Sequence, residues 1–345
     1  MTTRLGYACI NSTIRKEVSC NKTCRLATVL ERGAGFPKGS QEGSLEIYNF
    51  LCDYGRKNLE AMYKIISWSK NHNIFFYRMS STMLPHISNE RVKEYMTEEH
   101  WLSYFTLDFV QDLIYDIGKY VQKWGIRLSM HPGHYNQLGT PTTEVLNNTF
   151  TDLYWQTRLL DLLEKGADAY IQYKGEGINV IKTGGTLCLH LGGTYGNKKE
   201  AIRRWKKAFH KLPQNIQNRV CIENCEKGYS VEDALPVCEE LGIPLIFDFH
   251  HYNCWANYHP ENPDQSEISK LMPRILATWK GRIPKFHLSD QAEDKKVGAH
   301  HDYVENIPDE LLALLGKVDF DIMIEAKAKE LAVQKLQAKY KDVLC

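Results

Sequence analysis

One pattern recurs along this chain of 345 residues: a short apolar run is followed at once by histidine, aspartate or glutamate. The clearest copy is LIFDFHHYN at residues 245–253. Gly242 and Pro244 precede it. Because glycine ends helices and proline is confined to the start of a strand, the apolar run is predicted to be a buried strand. Asp248 then stands at the strand end, with His251 just beyond. Oxygen and imidazole donors together favour a divalent metal ion.

Runs of this kind alternate with stretches whose apolar residues have helical spacing. The predicted strands are residues 4–10, 74–78, 126–130, 186–190, 220–223, 245–248, 283–288 and 320–325. The predicted helices are residues 45–70, 105–124, 147–166, 198–210, 231–241, 267–279, 308–315 and 326–340. This alternation predicts an α/β protein, a single (β/α)8 TIM barrel over residues 1–345. A barrel is favoured over a doubly wound sheet because polar groups follow nearly every strand, and a barrel gathers all eight strand ends at its C-terminal mouth.

Composition limits the possible functions. The formal net charge is +1, so a nucleic-acid-binding face would have to be a local patch. The longest apolar runs are too short to cross a bilayer, and the N-terminus lacks the pattern of a signal peptide. Ten cysteines without a CxxC pair predict reduced thiols in a cytoplasmic or nuclear chain. The polar connection at residues 11–44 is long enough to predict a functional loop.

The strand ends together supply many metal-ligand types. A lone histidine is as often a structural residue as a ligand, but such a repeat is hard to explain by chance. Lys285 and His287 lie two apart on one strand, so their side chains point to the same side. A mixed histidine and carboxylate set suits Mn, Zn, Fe or Co better than Mg, and the supply is enough for two or three ions. Clustered ions suit phosphate-ester hydrolysis, and also sugar isomerisation, so the ligands alone do not identify the substrate.

Nine short motifs are spread over most of the chain. They are RLGY at 4–7, YRMSS at 77–81 with PH at 85–86, SMHPG at 129–133, LHLGG at 189–193, IEN at 222–224, FDFHH at 247–251, KFHLS at 285–289, HHDY at 300–303 and IEAKAK at 324–329. In this order they resemble the motifs of the UV-damage endonucleases of the UvdE type.

The resemblance implies a barrel akin to endonuclease IV with a three-metal site that favours manganese, with Zn, Co or Mg as other candidates. It implies a DNA-repair enzyme that nicks duplex DNA immediately 5′ to a cyclobutane pyrimidine dimer or 6-4 photoproduct, leaving a 3′-hydroxyl. The partner is then UV-damaged double-stranded DNA, with no membrane and no obligate protein partner. Carried over by position, the metal ligands are His86, His131, His190, Glu223, Asp248, His251, His287, His300 and Glu325.

Two of the matched residues are expected to have catalytic roles. Glu223 is predicted to be a carboxylate shared between ions. Lys285 matches the family's lysine. An ammonium beside several cations would be repelled, so Lys285 is expected to be neutral or converted to a carbamate.

DNA contacts are predicted at the mouth. In the family, an aromatic residue and the residue before it probe the strand opposite the lesion. Here they are Tyr135 and His134, where many members have glutamine in place of the histidine. Tyr7 is a further predicted DNA contact. The basic helix at 198–210 begins on the mouth side and offers further contacts to phosphates, although a solvated helix face is an equally good interpretation. These basic candidates are Lys198, Lys199, Arg203 and Arg204.

Three other functions remain open at this point. An AP endonuclease of the endonuclease IV type would have the same architecture and metals, but the YRMSS motif and Ser289-Asp290 favour the UV family. A sugar isomerase would not need the basic helix. A catalytically silent DNA-lesion binder would have no use for the full set of metal ligands.

Overall fold

Eight parallel strands close a barrel in chain order, and β8 pairs with β1 in this computed structural model. The structure describes residues 3–263, 265–342 and 344. The strands are β1 Thr3–Ala8, β2 Phe76–Met79, β3 Arg127–Met130, β4 Leu187–His190, β5 Val220–Glu223, β6 Leu245–Asp248, β7 Lys285–Leu288 and β8 Phe320–Ile324. The predicted (β/α)8 TIM barrel is therefore confirmed, and each strand lies where the apolar runs predicted it.

Helices surround the barrel. They are α1 Leu26–Arg32, α2 Gln41–Asn71, α3 Glu90–Lys93, α4 Glu98–Phe105, α5 Gln111–Trp124, α6 Thr143–Lys174, α7 Val180–Gly184, α8 Lys198–Phe209, α9 Gln214–Gln217, α10 Val231–Leu241, α11 Phe249–Tyr258, α12 Ile268–Thr278, α13 Asp309–Leu312 and α14 Glu330–Lys339. The single helix predicted at 105–124 is wrong. Leu107 has a left-handed φ of 64° that separates α4 from a short 3₁₀ turn and α5, and a non-glycine residue in that conformation interrupts a right-handed helix.

Alternate strand residues point into the barrel and fill it in layers. One interior cluster joins Ala8, Phe76 and Met323. Gly6 makes room for it, because a Cβ there would lie 2.5 Å from the Phe76 carbonyl oxygen and 2.7 Å from its ring. The next inward-facing residues toward the mouth are polar: Arg78 lies two residues after Phe76, and Glu325 lies two residues after Met323. The barrel thus changes from an apolar middle to an ionisable top.

The lower end of the barrel holds a buried ion network. Asp321 of β8 is fully buried and accepts hydrogen bonds from Arg127 Nη1 at 2.8 Å, Arg4 Nε at 2.8 Å and Arg4 Nη2 at 2.9 Å. Arg127 is also fully buried and donates to the carbonyl of Gly184. Buried charges require such pairing, so this network ties β1, β3 and β8 together far from the mouth.

Two sequence expectations concern the chain as a whole. Among the residues that the structure describes, no helix combines the length and the apolar character that crossing a membrane requires. The nine cysteines in the described ranges are all free thiols.

The connection at 11–44 contains α1 and reaches the loop after β2 through the carbonyl of Cys24, which lies 2.9 Å from His86 Nε2.

Candidate metal centre at the barrel mouth

Glu223, the last residue of β5, lies at the centre of the mouth and is almost fully buried. Its Oε1 is 2.9 Å from His287 Nδ1, and its Oε2 is 3.2 Å from His131 Nε2. His190 Nε2 lies 3.7 Å from the same Oε2, and His251 Nδ1 lies 3.6 Å from Oε1. Four histidines, two at strand positions in β4 and β7 and two just after β3 and β6, therefore converge on one carboxylate.

Two further carboxylates complete the ring. His287 Nδ1 lies 3.2 Å from Glu325 Oε1 and 3.9 Å from Asp248 Oδ2. His300 approaches from the loop after β7, with Nε2 3.8 Å from Glu325 Oε2. Its Nδ1 hydrogen-bonds to the hydroxyl of Ser289 at 2.7 Å, which orients the ring. Eight of the nine predicted ligands are thus linked by direct contacts.

His86 is the exception. It lies in the loop after β2 with a left-handed φ of 56°. Its Nε2 hydrogen-bonds to the Cys24 carbonyl and its Nδ1 accepts from Asn89 Nδ2 at 3.1 Å. Both ring nitrogens are therefore occupied outside the cluster, and the structure does not bring His86 into contact with the other predicted ligands. Its assignment as a ligand stays a prediction.

Several buried polar atoms at this centre lack a hydrogen-bond partner within the described residues. They are Asp248 Oδ2, His190 Nδ1 and His287 Nε2. Leaving a buried polar atom unsatisfied costs about 1–3 kcal/mol. A cluster of such atoms among carboxylates and imidazoles is therefore an arrangement that a bound cation would stabilise.

Burial and neighbouring charges shift the pKa values of the ionisable groups in the cluster in different directions. Burial opposes ionisation of Glu223, but His287 and His190 outweigh it and hold its pKa well below the usual range. Burial raises the pKa of Asp248 to about 7. Burial also lowers the pKa of His287 to about 4, so this imidazole is neutral and able to coordinate. Burial opposes the charge on His251, but Asp248, Glu223 and other carboxylates outweigh it and raise its pKa to about 10. The potential that holds a proton there would also attract a metal ion.

The donor set fits divalent ions. The groups His131–Cys188–Glu223 and Glu223–Asp248–His287 each offer ligand atoms that lie within 4.8 Å of one another. Nitrogen, carboxylate oxygen and one thiol are donors for transition metals such as Mn, Zn or Co rather than for Mg alone. Glu223 belongs to both groups, which is the position expected of a carboxylate shared between two ions.

Lys285 lies below this cluster, inside the barrel. Its side chain is fully buried, and Nζ donates to Thr186 Oγ1 at 3.4 Å. Burial lowers the pKa of this lysine. It lies two residues before His287 on the same face of β7, as the spacing predicted, but no ion pair links its ammonium to a carboxylate among the described residues.

The predicted DNA contacts have different surroundings. Tyr7 is fully buried, and its hydroxyl hydrogen-bonds to Ser69 of α2 at 2.7 Å. Its side chain points from β1 toward the helices rather than into the mouth, so the prediction that it contacts DNA is corrected. His134 is exposed, and Tyr135 beside it retains 53% of its accessible surface. Their rings are 6.3 Å apart in an edge-to-face arrangement. This pair is available to a ligand at the mouth.

The basic helix α8 is only partly available. Lys198 pairs with Asp233 at 2.7 Å. Arg204 donates to the carbonyl of Gly139 at 2.8 Å. Lys199 is exposed, and Arg203 is exposed while paired with Glu200 on its own helix at 3.0 Å. Two of the four predicted phosphate contacts are therefore engaged in holding the fold, and two face solvent.

Three residues of the centre were missed by sequence reasoning. Arg78 forms a close ion pair with Glu325. Cys188 donates to Glu223 Oε2 at 2.8 Å. Glu226 lies 3.7 Å from His251 through Oε2 and Nε2. Side chains two residues apart on a strand point to the same side. Cys188 lies two residues before His190 on β4, and Arg78 lies two residues after the inward-facing Phe76 on β2, so this spacing was the available signal. Glu226 is in a loop, where no periodicity points to it.

Comparisons with known proteins identify the family of this chain. A family model described as UV-endonuclease UvdE matches residues 3–344. A protein of Acanthamoeba polyphaga mimivirus, provisionally named a UV-damage endonuclease, is 34% identical over 345 residues, covering 99% of this chain and 92% of that protein. The UV-damage endonuclease of Schizosaccharomyces pombe is 31% identical over 347 residues, covering 98% of this chain but 50% of that protein. The chain therefore spans about half the length of the yeast relative.

A solved structure gives the same result at the level of the fold. The crystal structure of SacUVDE superposes with a TM-score of 0.75 and 26% sequence identity, covering 99% of this chain and 98% of that one. The match of the family model extends over almost the whole chain and includes every residue of the candidate centre. The chain therefore belongs to the UV-endonuclease UvdE family, a family of DNA-repair endonucleases.

Proposed function

We propose that this chain nicks duplex DNA immediately 5′ to UV photoproducts, by phosphodiester hydrolysis assisted by two or three divalent ions, with manganese favoured. The observation that carries the proposal is the buried centre around Glu223, where three carboxylates and several imidazoles converge. Among the described residues, several buried polar atoms of this centre have no hydrogen-bond partner. Family membership supports DNA as the substrate. The photoproducts, the 5′ position and the metal are the parts that experiment must test.

The side chains have separable roles in this proposal. His131, Glu223, Asp248, His287 and Glu325 would hold the ions. Bound ions would supply an activated water and neutralise charge on the phosphodiester. Arg78 fixes Glu325 through its ion pair. The Nδ1 of His251 is anchored on the Asn224 carbonyl at 2.9 Å. A buried lysine kept neutral or carbamylated, Lys285, would limit positive charge below the ions.

The decisive experiment compares end-labelled duplexes. UV-irradiated, abasic and undamaged DNA are incubated with the purified chain after chelation, with and without added Mn²⁺. We expect a single nick 5′ to the photoproduct that appears only with metal. Preferential cleavage at the abasic site would favour the endonuclease IV type of activity. Binding of damaged DNA without any nick under all metal conditions would favour the silent binder.

Lesion recognition is assigned to the exposed pair His134 and Tyr135. Extruding a damaged pair costs less than extruding a normal one, and an aromatic face that fills the gap recovers roughly 1–3 kcal/mol per stacked base. The Tyr135→Ala variant is expected to lower the ratio of affinities for damaged and undamaged duplex by about 5- to 150-fold. Fluorescence anisotropy with matched duplexes measures that ratio.

The control for this variant is Tyr173→Ala. Tyr173 is 81% exposed but lies at the far end of α6, away from the mouth. The Tyr173→Ala variant should leave the ratio of affinities for damaged and undamaged duplex unchanged. Neither Tyr173→Ala nor Tyr135→Ala should alter the metal content of the protein. If Tyr135→Ala binds the two duplexes with the wild-type ratio, Tyr135 is only a surface residue of its loop.

Electrostatic binding of DNA is assigned to the solvent-facing basic residues of α8, Lys199 and Arg203. Each phosphate contact contributes about 0.9 to the slope of log binding constant against log salt concentration. Replacing Lys199 and Arg203 by glutamine is expected to reduce that slope by roughly 2. Titrations of undamaged duplex between low and moderate salt measure it. The matched control replaces Lys206 and Lys207, which lie later on the same helix, and an equal reduction there would assign the effect to overall charge.

A further inference from the structure

We propose that Glu226 is an additional metal ligand, which forms with His251 an outer ion position at the edge of the candidate centre. The inference rests on the proposed metal-dependent function and names a ligand outside the nine predicted from the sequence. Glu226 lies in the loop after β5, three residues beyond Glu223. Its Oε2 lies 3.7 Å from His251 Nε2.

The orientation of His251 is fixed from its other side. Its Nδ1 lies 2.9 Å from the backbone carbonyl of Asn224. A carbonyl oxygen only accepts hydrogen bonds, so Nδ1 carries a proton and Nε2 is the ring nitrogen available for coordination. Metal-ligating histidines commonly donate their second nitrogen to a carbonyl or carboxylate in this way. The coordinating nitrogen of His251 therefore faces Glu226.

The distance between the two atoms suits a shared ion. At 3.7 Å, Nε2 and Oε2 are too far apart for a hydrogen bond. Two ligand bonds of about 2.0–2.2 Å to one ion span this separation without moving either side chain. The contact between His190 Nε2 and Glu223 Oε2, also 3.7 Å, repeats the arrangement one strand away.

Exposure distinguishes this position from the rest of the centre. The side chains of His251 and Glu226 are 14% and 17% exposed, whereas those of Glu223 and His287 are 1% and 0% exposed. Glu226 also lines a cleft with His134, Gln137, His190 and Lys227. An ion held there lies beside the cleft that the DNA would enter, and it exchanges with solvent more readily than the buried ions.

The neighbouring Lys227 allows a test in which the expected change in metal binding has the opposite sign. Its Nζ lies 3.6 Å from Oε1 of Glu226, the oxygen that does not face His251. An ammonium beside the ligand weakens cation binding, because like charges repel. Removing the positive charge of Lys227 should therefore strengthen or preserve metal binding at the outer position, whereas removing the negative charge of Glu226 should weaken it.

The experiment titrates chelator-treated protein with Mn²⁺ and follows free Mn²⁺ by electron paramagnetic resonance, without DNA. Glu226→Gln is expected to lose the weakest binding class, or to weaken it at least about tenfold, the scale typical of losing a group that supports a metal site. The tighter classes should stay within a factor of about 2 of wild type. Lys227→Gln should bind Mn²⁺ at least as tightly as wild type.

Two further variants separate ligation from simpler effects. Glu261→Gln removes the same charge from an exposed glutamate that faces His259 instead, and it should bind Mn²⁺ as wild type does. Glu226→Asp keeps the negative charge and should bind more tightly than Glu226→Gln. Circular dichroism of the metal-free proteins verifies that every variant is folded.

The outcomes are distinguishable. A Glu226→Gln isotherm that superposes on the wild-type isotherm overturns the outer ion position while leaving the proposed function intact. Glutamine keeps an acceptor oxygen for His251, so a role limited to orienting that ring would also give the wild-type isotherm. If the wild-type chain itself binds no Mn²⁺, the proposed metal-dependent function fails instead.

Discussion

The Glu223→Gln variant is expected to lose nicking activity by a factor on the order of 10³ while retaining most of its affinity for damaged DNA, a loss equivalent to roughly 4 kcal/mol of transition-state stabilisation. Glutamine keeps the size of the side chain but removes the negative charge on which His131 and His287 converge. Without that charge, neighbouring cations would repel one another and the buried centre would lose its shared ligand. DNA contacts at the exposed rim of the mouth are untouched.

Two measurements check this expectation. Single-turnover cleavage at saturating protein reports the chemical step, and anisotropy in the presence of Ca²⁺ or chelator reports binding. The charge-matched control is Glu240→Gln, because Glu240 is exposed and pairs with Lys206 on the outer surface. Near-wild-type cleavage by Glu223→Gln, or undiminished cleavage by wild type in excess chelator, contradicts the metal mechanism.

The second large effect is on stability. Asp321→Ala is expected to lower the free energy of unfolding by about 3–5 kcal/mol, the cost of removing one partner from a buried ion pair. Asp321 is fully buried and accepts from both Arg4 and Arg127. Its loss leaves the guanidinium of Arg127 without a counter-charge in the barrel interior. Because the network lies at the end opposite the mouth, metal binding by the folded fraction should be unaffected.

Denaturant unfolding followed by circular dichroism, performed on the metal-free protein, measures this loss. The control is Asp53→Ala, which breaks an exposed pair with Lys57 one helical turn away. Exposed pairs of this kind contribute about 0.3–0.5 kcal/mol. A loss for Asp321→Ala as small as that for Asp53→Ala would mean that solvent reaches Arg127 and that the network is not a buried one.

Much of the fold could be predicted because its signals are local. Each strand of a parallel barrel is buried on both faces and therefore appears as a short apolar run between turn residues. Asp248 and Glu223 come directly at the ends of such runs. A closed barrel brings all strand ends to one face, independently of the path of the loops. The prediction of one mouth rich in metal-ligand types therefore needed only the order of the elements. The helix predicted at 105–124 failed because the reversal at Leu107 carries no glycine or proline to indicate it.

The tertiary structure decided which side chains point into the centre, because a local sequence pattern does not specify side-chain direction or loop path. Since both faces of these strands are buried, the apolar pattern does not reveal which face points inward, and Tyr7 proved to face helix α2 while Arg78 faces the mouth. His86 follows its strand as the other predicted ligands do, yet the loop turns it toward Cys24. Glu226 reaches His251 only through loop geometry. The sequence by itself thus determined the barrel and the chemistry of its mouth, because strand ends must meet there. Side-chain direction and loop path, which depend on packing between distant elements, determined which residues share the centre.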